Sequence, residues 1–397
     1  MAHLPKINIA DVQLERIFSV PNRETLELFN IMDREWISLL SRAPTDVVNL
    51  SNTLRALPAG NRYGIEIELE KFPANWAMGR GSPTAVQKTD GTLRDNGREI
   101  VSLPLLYYQA PVWLWNCYTN VVPKTAVSSQ RCSTHIHTNV LDMSLSQFAS
   151  FLLLYTAYEN VLFNFCDPGR KGSIFCAPIQ DTNTFQILWA MVLNGGLMNQ
   201  RVEKYAAFNA QPLSGRNDHG VRGTVEFRHL DGCTDPKRLF DWLTMIHSMR
   251  TFASVVPFDV VSERLLSLNS NSEYDVFTQD VFMPSVHDHV LSPDLGELME
   301  DGIRYIKSCI YDNPRAARSE TPAASSSFVK AGKKLLSPGF GGATKKVLEE
   351  MQGLEPEGLT DHERLLWQIQ NARRIQREQL QQEEQELRFT TQLLRGN

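Results

Sequence analysis

No C-x-x-C pair occurs in the chain: its six cysteines, Cys117, Cys132, Cys166, Cys176, Cys233 and Cys309, stand apart. That spacing argues against a zinc ribbon and a dithiol redox centre, and predicts free, mostly buried thiols. Long hydrophobic runs are missing as well. A bilayer span needs about 20 apolar residues, and the most apolar stretch, residues 148–165, is interrupted by Ser150, Thr156, Glu159 and Asn160. It reads as a buried helix, and no membrane association is expected. The opening MAHLPKINIADVQLERIF lacks the basic, apolar and small-residue order of a secretory signal, so a cytoplasmic location is expected. Charge of one sign is not in excess: 40 Lys and Arg face 45 Asp and Glu, a formal net charge of -5. Such a balance exerts no general pull on polyanions, and no nucleic-acid partner is predicted. There is no G-x-S-x-G and no H-E-x-x-H, and the glycine-rich residues 337–346 fail the P-loop pattern G-x-x-x-x-G-K-[ST].

With 397 residues, 42% of them hydrophobic and 21% charged, the chain can bury a sizeable core. Residues 1–57 read as a helical lead-in, where Leu26, Leu28, Phe29, Met32, Trp36 and Leu39 fall largely on one face. Alternation predicts strands over 63–69, from Glu99, over 132–141 and over 223–230. Ser144 can cap the apolar helix after it, a second helix is expected over 184–194, and Asp235-Pro236 starts a third through Met249. Strands interleaved with long helices, without regular βαβ spacing, predict an α+β domain over 58–312 around a largely antiparallel sheet. Residues 313–360 then read as a flexible linker rich in Pro, Ala and Ser. In 361–397, Leu366, Leu380, Leu387 and Leu394 keep a seven-residue spacing that Arg373 interrupts. A coiled coil, a helix docked on a protein partner and a solvated helix all fit that pattern.

Chemistry concentrates in four segments. In Gly64-Ile65-Glu66-Ile67-Glu68-Leu69-Glu70 a period of two puts the glutamates on one face and the apolar residues on the other. Carboxylates roughly 5 to 7 Å apart repel by a few kcal/mol at an effective dielectric near 20, so the face is either solvated or gathered round a hard divalent cation. Lys88-Thr89-Asp90-Gly91-Thr92 predicts a turn ahead of Glu99-Ile100-Val101-Ser102. His135 and His137 share a strand face, where imidazoles ligate metal or donate to phosphate. Glu226 and Arg228 likewise share a face, as a salt bridge or as the anion and cationic fork of a nucleotide site. His287-Asp288-His289, in a loop-like context, reads as a surface pair.

The order G-x-E-x-E, D-G-T then E-I-V-S, C-x-x-H-x-H, and K-Y and N before T-V-E-F-R resembles the motif series of the amidoligase family, over about residues 60–245. The resemblance implies a glutamine synthetase-like curved, largely antiparallel sheet backed by helices, followed here by a C-terminal helical tail. It also implies an ATP-dependent carboxylate-amine ligase that forms an amide or peptide bond through an acyl phosphate, with Mg2+ or Mn2+. Carried over by position, Glu66, Glu68, Glu99, His135 and Glu226 are metal ligands, while His137, Lys204, Tyr205, Asn209 and Arg228 contact nucleotide or phosphates. Arg228 stabilises the moving phosphoryl group, and Asp90 is a candidate base for the amine. The implied partners are a small-molecule or peptide carboxylate and an amine, with a protein partner or self-association through the tail helix. Thr92 stands where serine is usual in the family, Ser133-Thr134 where glycine is common, and Leu103 intrudes before Pro104. Two other readings stay open: a non-catalytic scaffold that keeps the fold and binds partners through its tail, and a metal-dependent hydrolase or phosphotransferase.

Overall fold

A strand with one apolar face must cover it, and the strands of this chain do so with helices. The computed structural model describes residues 7, 9, 12–18, 22–55, 61–76, 84–89, 91–196, 202–214 and 222–312. All belong to one unit, Met1–Arg55 with Ala59–Ser319; a second unit, Ala56–Pro58 with Glu320–Asn397, lies outside the described residues. In chain order come α1 (Asn22–Leu40), α2 (Thr45–Arg55), β1 (Arg62–Leu69), β2 (Ala85–Lys88), β3 (Arg98–Ser102), β4 (Leu105–Leu106) and α3 (Ala110–Asn116). Next are β5 (Ser133–Asn139), α4 (Leu145–Phe165), α5 (Thr184–Leu193), β6 (Phe208–Asn209), α6 (Gln211–Ser214) and β7 (Thr224–Asp231). The helices α7 (Pro236–Val255), α8 (Phe258–Ser267), α9 (Asn271–Val281), α10 (His287–Val290) and α11 (Leu295–Lys307) complete the series.

The strands form one seven-stranded antiparallel sheet in the order β2-β3-β1-β5-β7-β6, with β4 paired to β1. The fold is thus a mixed α+β arrangement, but the glutamine synthetase-like curved sheet is not there: the sheet is open and uncurled, ending at β2 and β6. Curling a sheet takes tilt and repeated bulges, and the described ladders carry a single register shift, between β5 and β7. The linker expected over 313–360 and the coiled-coil or helical tail over 361–397 lie outside the described residues. Among the described residues no helix is long and apolar enough to cross a membrane.

One sheet face is dry. Ile65, Ile67, Leu69, Ile136, Val225 and Phe227 are all fully buried, each worth roughly 1.5–3 kcal/mol of burial. Phe151 and Tyr155 of α4 pack on Phe208 and Phe227, with ring centroids 4.4 to 6.1 Å apart. From α7, His247 bonds Tyr63 at 2.7 Å and stacks on Tyr107 at 3.7 Å. Both helices start where their residues dictate. Ser144 accepts from Gln147 N while Gln147 returns a bond to Ser144 N, and Asp235 accepts from Lys237 N ahead of Pro236. Gly302 lets α11 press onto α4: a Cβ there would sit 2.4 Å from the Thr156 carbonyl oxygen. The cysteines are free thiols, and all but Cys309 are buried. His287 and His289 lie on the one-turn α10 rather than in a loop, His289 bonding Asp241 at 3.2 Å.

Beneath β7, α4 carries a polar knot in the apolar layer. Glu159 accepts from the Tyr155 hydroxyl and from Ile179 N at 2.7 and 3.0 Å, and Tyr155 also meets His229 Nε2 at 3.1 Å. Burial pushes the Glu159 carboxyl up from 4.5 to about 7, against the pull of its hydrogen bonds. Burial keeps His229 and His247 neutral, lowered from 6.5 to about 3, so their share of stability is present above 6.5 and lost as pH falls. Glu159 runs the other way: its share is complete below 4.5 and lost as pH rises through about 7. Glu159→Gln should therefore remove a loss of roughly 3 kcal/mol between about pH 4.5 and pH 7. Calorimetric melting across that range checks it, and parallel parent and variant curves would contradict it.

Candidate metal centre

Register decides what the polar face of β1 meets. Glu66 stands opposite His135 of β5, His137 opposite Glu226 of β7, and Glu226 opposite Asn209 of β6. On the other side Glu68 faces Glu99 of β3, and Glu99 faces Lys88 of β2. A row of ionisable side chains thus crosses the sheet, on the face away from the aromatic core. Its centre is a buried cluster able to hold a divalent metal: one ligand atom each from Glu66, His135 and Glu226, all within 4.8 Å of one another. His135 Nδ1 lies 3.4 Å from Glu66 Oε2 and 3.2 Å from Glu226 Oε1. His137 Nε2 is 3.4 Å from Glu66 Oε1, buried and without a hydrogen-bond partner, while its Nδ1 meets Thr224 Oγ1 at 3.1 Å.

The other ring nitrogen of His135 meets a hydroxyl. Glu68 Oε2 accepts from Ser133 N at 2.9 Å and from Ser133 Oγ at 2.5 Å, and the same hydroxyl lies 2.7 Å from His135 Nε2. Ser133 has one hydroxyl proton. With that hydroxyl donating to Glu68, its oxygen can accept from His135 Nε2–H, the tautomer in which Nδ1 can ligate a cation. A nitrogen lone pair and two carboxylate oxygens converging on one point form a donor set for a cation. A carboxylate–hydroxyl–imidazole chain is the kind of support that fixes a ligating histidine. Glu68 therefore stands behind His135 rather than inside the cluster. Glu70 is engaged elsewhere, accepting from Arg94 N at 2.8 Å.

The charges answer one another. Burial works to raise the Glu66 carboxyl, yet His137 and His135 outweigh it and hold the group well below the usual range. For Glu226 burial is likewise outweighed, here by Arg228 and then His135 and His137. Glu99 goes up, through burial and the nearby Glu66. His137 is raised because Glu66 and Glu226 overcome its burial.

Arg228 pairs with Glu226 Oε1, and Asn209 Nδ2 donates to Glu226 Oε2 at 2.7 Å. The register shift falls here: Ile136 pairs with Phe227 but Thr134 with Leu230, so β7 carries one more residue than β5 across Arg228 and His229. Such a bulge leaves carbonyls without ladder partners. Buried Arg170 takes up both, donating to Arg228 O at 2.6 Å and His229 O at 2.9 Å. Arg228 Nε donates to Phe175 O at 3.3 Å, and its Cζ lies 5.9 Å from the Tyr205 ring. Lys204 and Tyr205 are exposed beside it, Lys204 Nζ 5.5 Å from that ring. Asp90 lies outside the described residues.

Several residues escape sequence reasoning. Lys88 Nζ reaches Glu99 Oε1 at 3.4 Å and Glu66 Oε1 at 3.7 Å, and Arg222 reaches Glu66 Oε1 at 3.8 Å. Thr224 was available, since it alternates in phase with Glu226 and Arg228. Ser133 was visible only as a departure from a motif. Lys88 and Arg170 needed the long-range pairing itself.

Ser133→Ala should lower Mn2+ affinity about 10- to 100-fold, the usual cost of losing such support. Isothermal titration calorimetry reads it; unchanged affinity would remove the hydroxyl from the ligand's support. Compared with models of known protein families and with curated protein sequences, the chain matches none, so the cluster's own geometry is what speaks to its chemistry.

Proposed function

We propose that the protein is a divalent-metal-dependent enzyme, and that its reaction is the ATP-dependent joining of a carboxylate to an amine through an acyl phosphate. The observation that carries the reading is the buried convergence of Glu66, His135 and Glu226 from three strands, with His137 Nε2 beside it, 3.4 Å from Glu66 Oε1. Two carboxylates and an imidazole buried together suit a hard or borderline divalent ion. The finer reading rests on the motif order and the residues round the cluster, and does not need a curved sheet. When bound, the metal would neutralise phosphate charge and so lower the barrier to activating a carboxylate.

The chain's own residues divide the remaining work. Glu66, His135 and Glu226 hold the ion, and Asn209 fixes the second oxygen of Glu226. Arg228, held by Phe175 O and by the bulge that Arg170 clamps, offers a planar fork to phosphoryl oxygens. Lys204 and Tyr205 at the rim are suited to a nucleotide's charge and ring. Covering β1 and β7 from behind, α4 and α7 keep water from the other side of the ligating strands.

Neighbours on one strand separate the roles. Glu226→Gln keeps shape but loses the charge a hard cation needs, so metal-dependent nucleotide binding should fall at least about tenfold. Arg228→Lys keeps charge but loses the fork; binding should survive while turnover drops roughly 30- to 1000-fold, the equivalent of about 2 to 4 kcal/mol. The measurement is Mg-ATP binding by calorimetry, with ADP release in a pool of amino acids and amines. Metal binding without ATP-dependent product in any acid–amine pair would reject ligation and keep the metal enzyme. No metal binding at all would leave the scaffold reading in its place.

A further inference from the structure

Lys88 sits on an edge strand and yet leans inward. Its direct partner across the ladder is Glu99 on β3, one strand away. The ammonium also lies 3.7 Å from Glu66 Oε1 on β1, the next strand in, while remaining 3.4 Å from Glu99. Neighbouring strands are about 4.8 Å apart, so the side chain crosses the whole width of β3 to get there. An edge lysine with 42% of its side chain exposed has solvent available. It takes the carboxylates instead. The oxygen it approaches, Glu66 Oε1, is also the one met by His137 at 3.4 Å and Arg222 at 3.8 Å. Glu66 is at the same time a member of the metal cluster.

We propose that Lys88 is a built-in competitor for the metal: its ammonium and a divalent ion draw on the same carboxylate, Glu66, so each weakens the other's hold. This rests on the metal reading above. A fixed positive charge within a few ångströms of a second cation repels it, and a half-exposed ion pair is weak enough to be displaced. Lys88 thereby tunes the site to a lower affinity than its donor set alone would give, which favours a readily exchanging ion. When the ion draws Glu66 away, the ammonium is left at the mouth of the cluster, where an anionic substrate would enter.

Mn2+ titration of the full chain tests this, by calorimetry and by electron paramagnetic resonance of free Mn2+. Lys88→Met should bind Mn2+ more tightly, by about tenfold or more, since a repelling unit charge has been removed. Lys88→Arg should stay near the parent, because the charge remains. A gain of affinity is not something a damaged fold produces. If Lys88→Met lowers folded yield, Lys88→Gln makes the same comparison. Equal or weaker binding in the neutral variants, with the parent binding Mn2+, would overturn the role of Lys88 and leave the metal centre standing. A parent that binds no Mn2+ would overturn both.

Discussion

Carboxylates do not share a buried space unless something positive shares it with them, and the polar face of this sheet is organised around that constraint. Glu66 and Glu226 are almost fully buried on strands separated by β5. His135, His137, Arg228, Lys88 and Arg222 surround them, each within 4 Å of one carboxylate or the other. No single pair supplies the balance. Removing any one partner leaves its neighbour's charge uncompensated in a low-dielectric setting, which is why effects here should not add.

The apolar face serves the polar one. Every strand that carries a ligand also carries fully buried residues in the opposite phase: Ile65 and Ile67 behind Glu66, Ile136 between the histidines, and Val225 and Phe227 on either side of Glu226. A one-residue slip of any of these strands would exchange the two faces. Register at the Glu66–His135–Glu226 cluster is therefore enforced by hydrophobic burial against α4 and α7, at a distance from the charges it positions. The Tyr155–Glu159–His229 knot ties the same helix to β7 and to the turn at Ile179.

Period-two alternation makes the strands legible from residue order alone, because a strand with one dry face writes that face into its residues. The same logic exposes Glu66, His135, His137, Glu226 and Arg228 as candidates. Sheet order is not legible, since nothing local says that β1 lies between β3 and β5. Glu68 shows the limit: alternation places it with Glu66, but Ser133 on another strand draws it to the back of His135. Lys88 looks like part of a turn until pairing puts it opposite Glu99. Curvature was borrowed from a resemblance and had no residue pattern behind it, and the open sheet replaces it. Arg170 is hidden for the opposite reason: a buried arginine that donates to backbone carbonyls leaves no charged partner in the sequence.

The bulge at Arg228 and His229 sets two aims of the protein against each other. Deleting one residue there would heal the ladder between β5 and β7, bring the two halves of β7 into a single phase, and release Arg170 from its two carbonyls. As a sheet, the result would be more regular. It would also remove the clamp on the Arg228 carbonyl, behind a side chain that meets Glu226 and Phe175. Selection for stability alone would tend to erase the bulge, and its presence marks the point where regularity has been traded for the aim of one side chain.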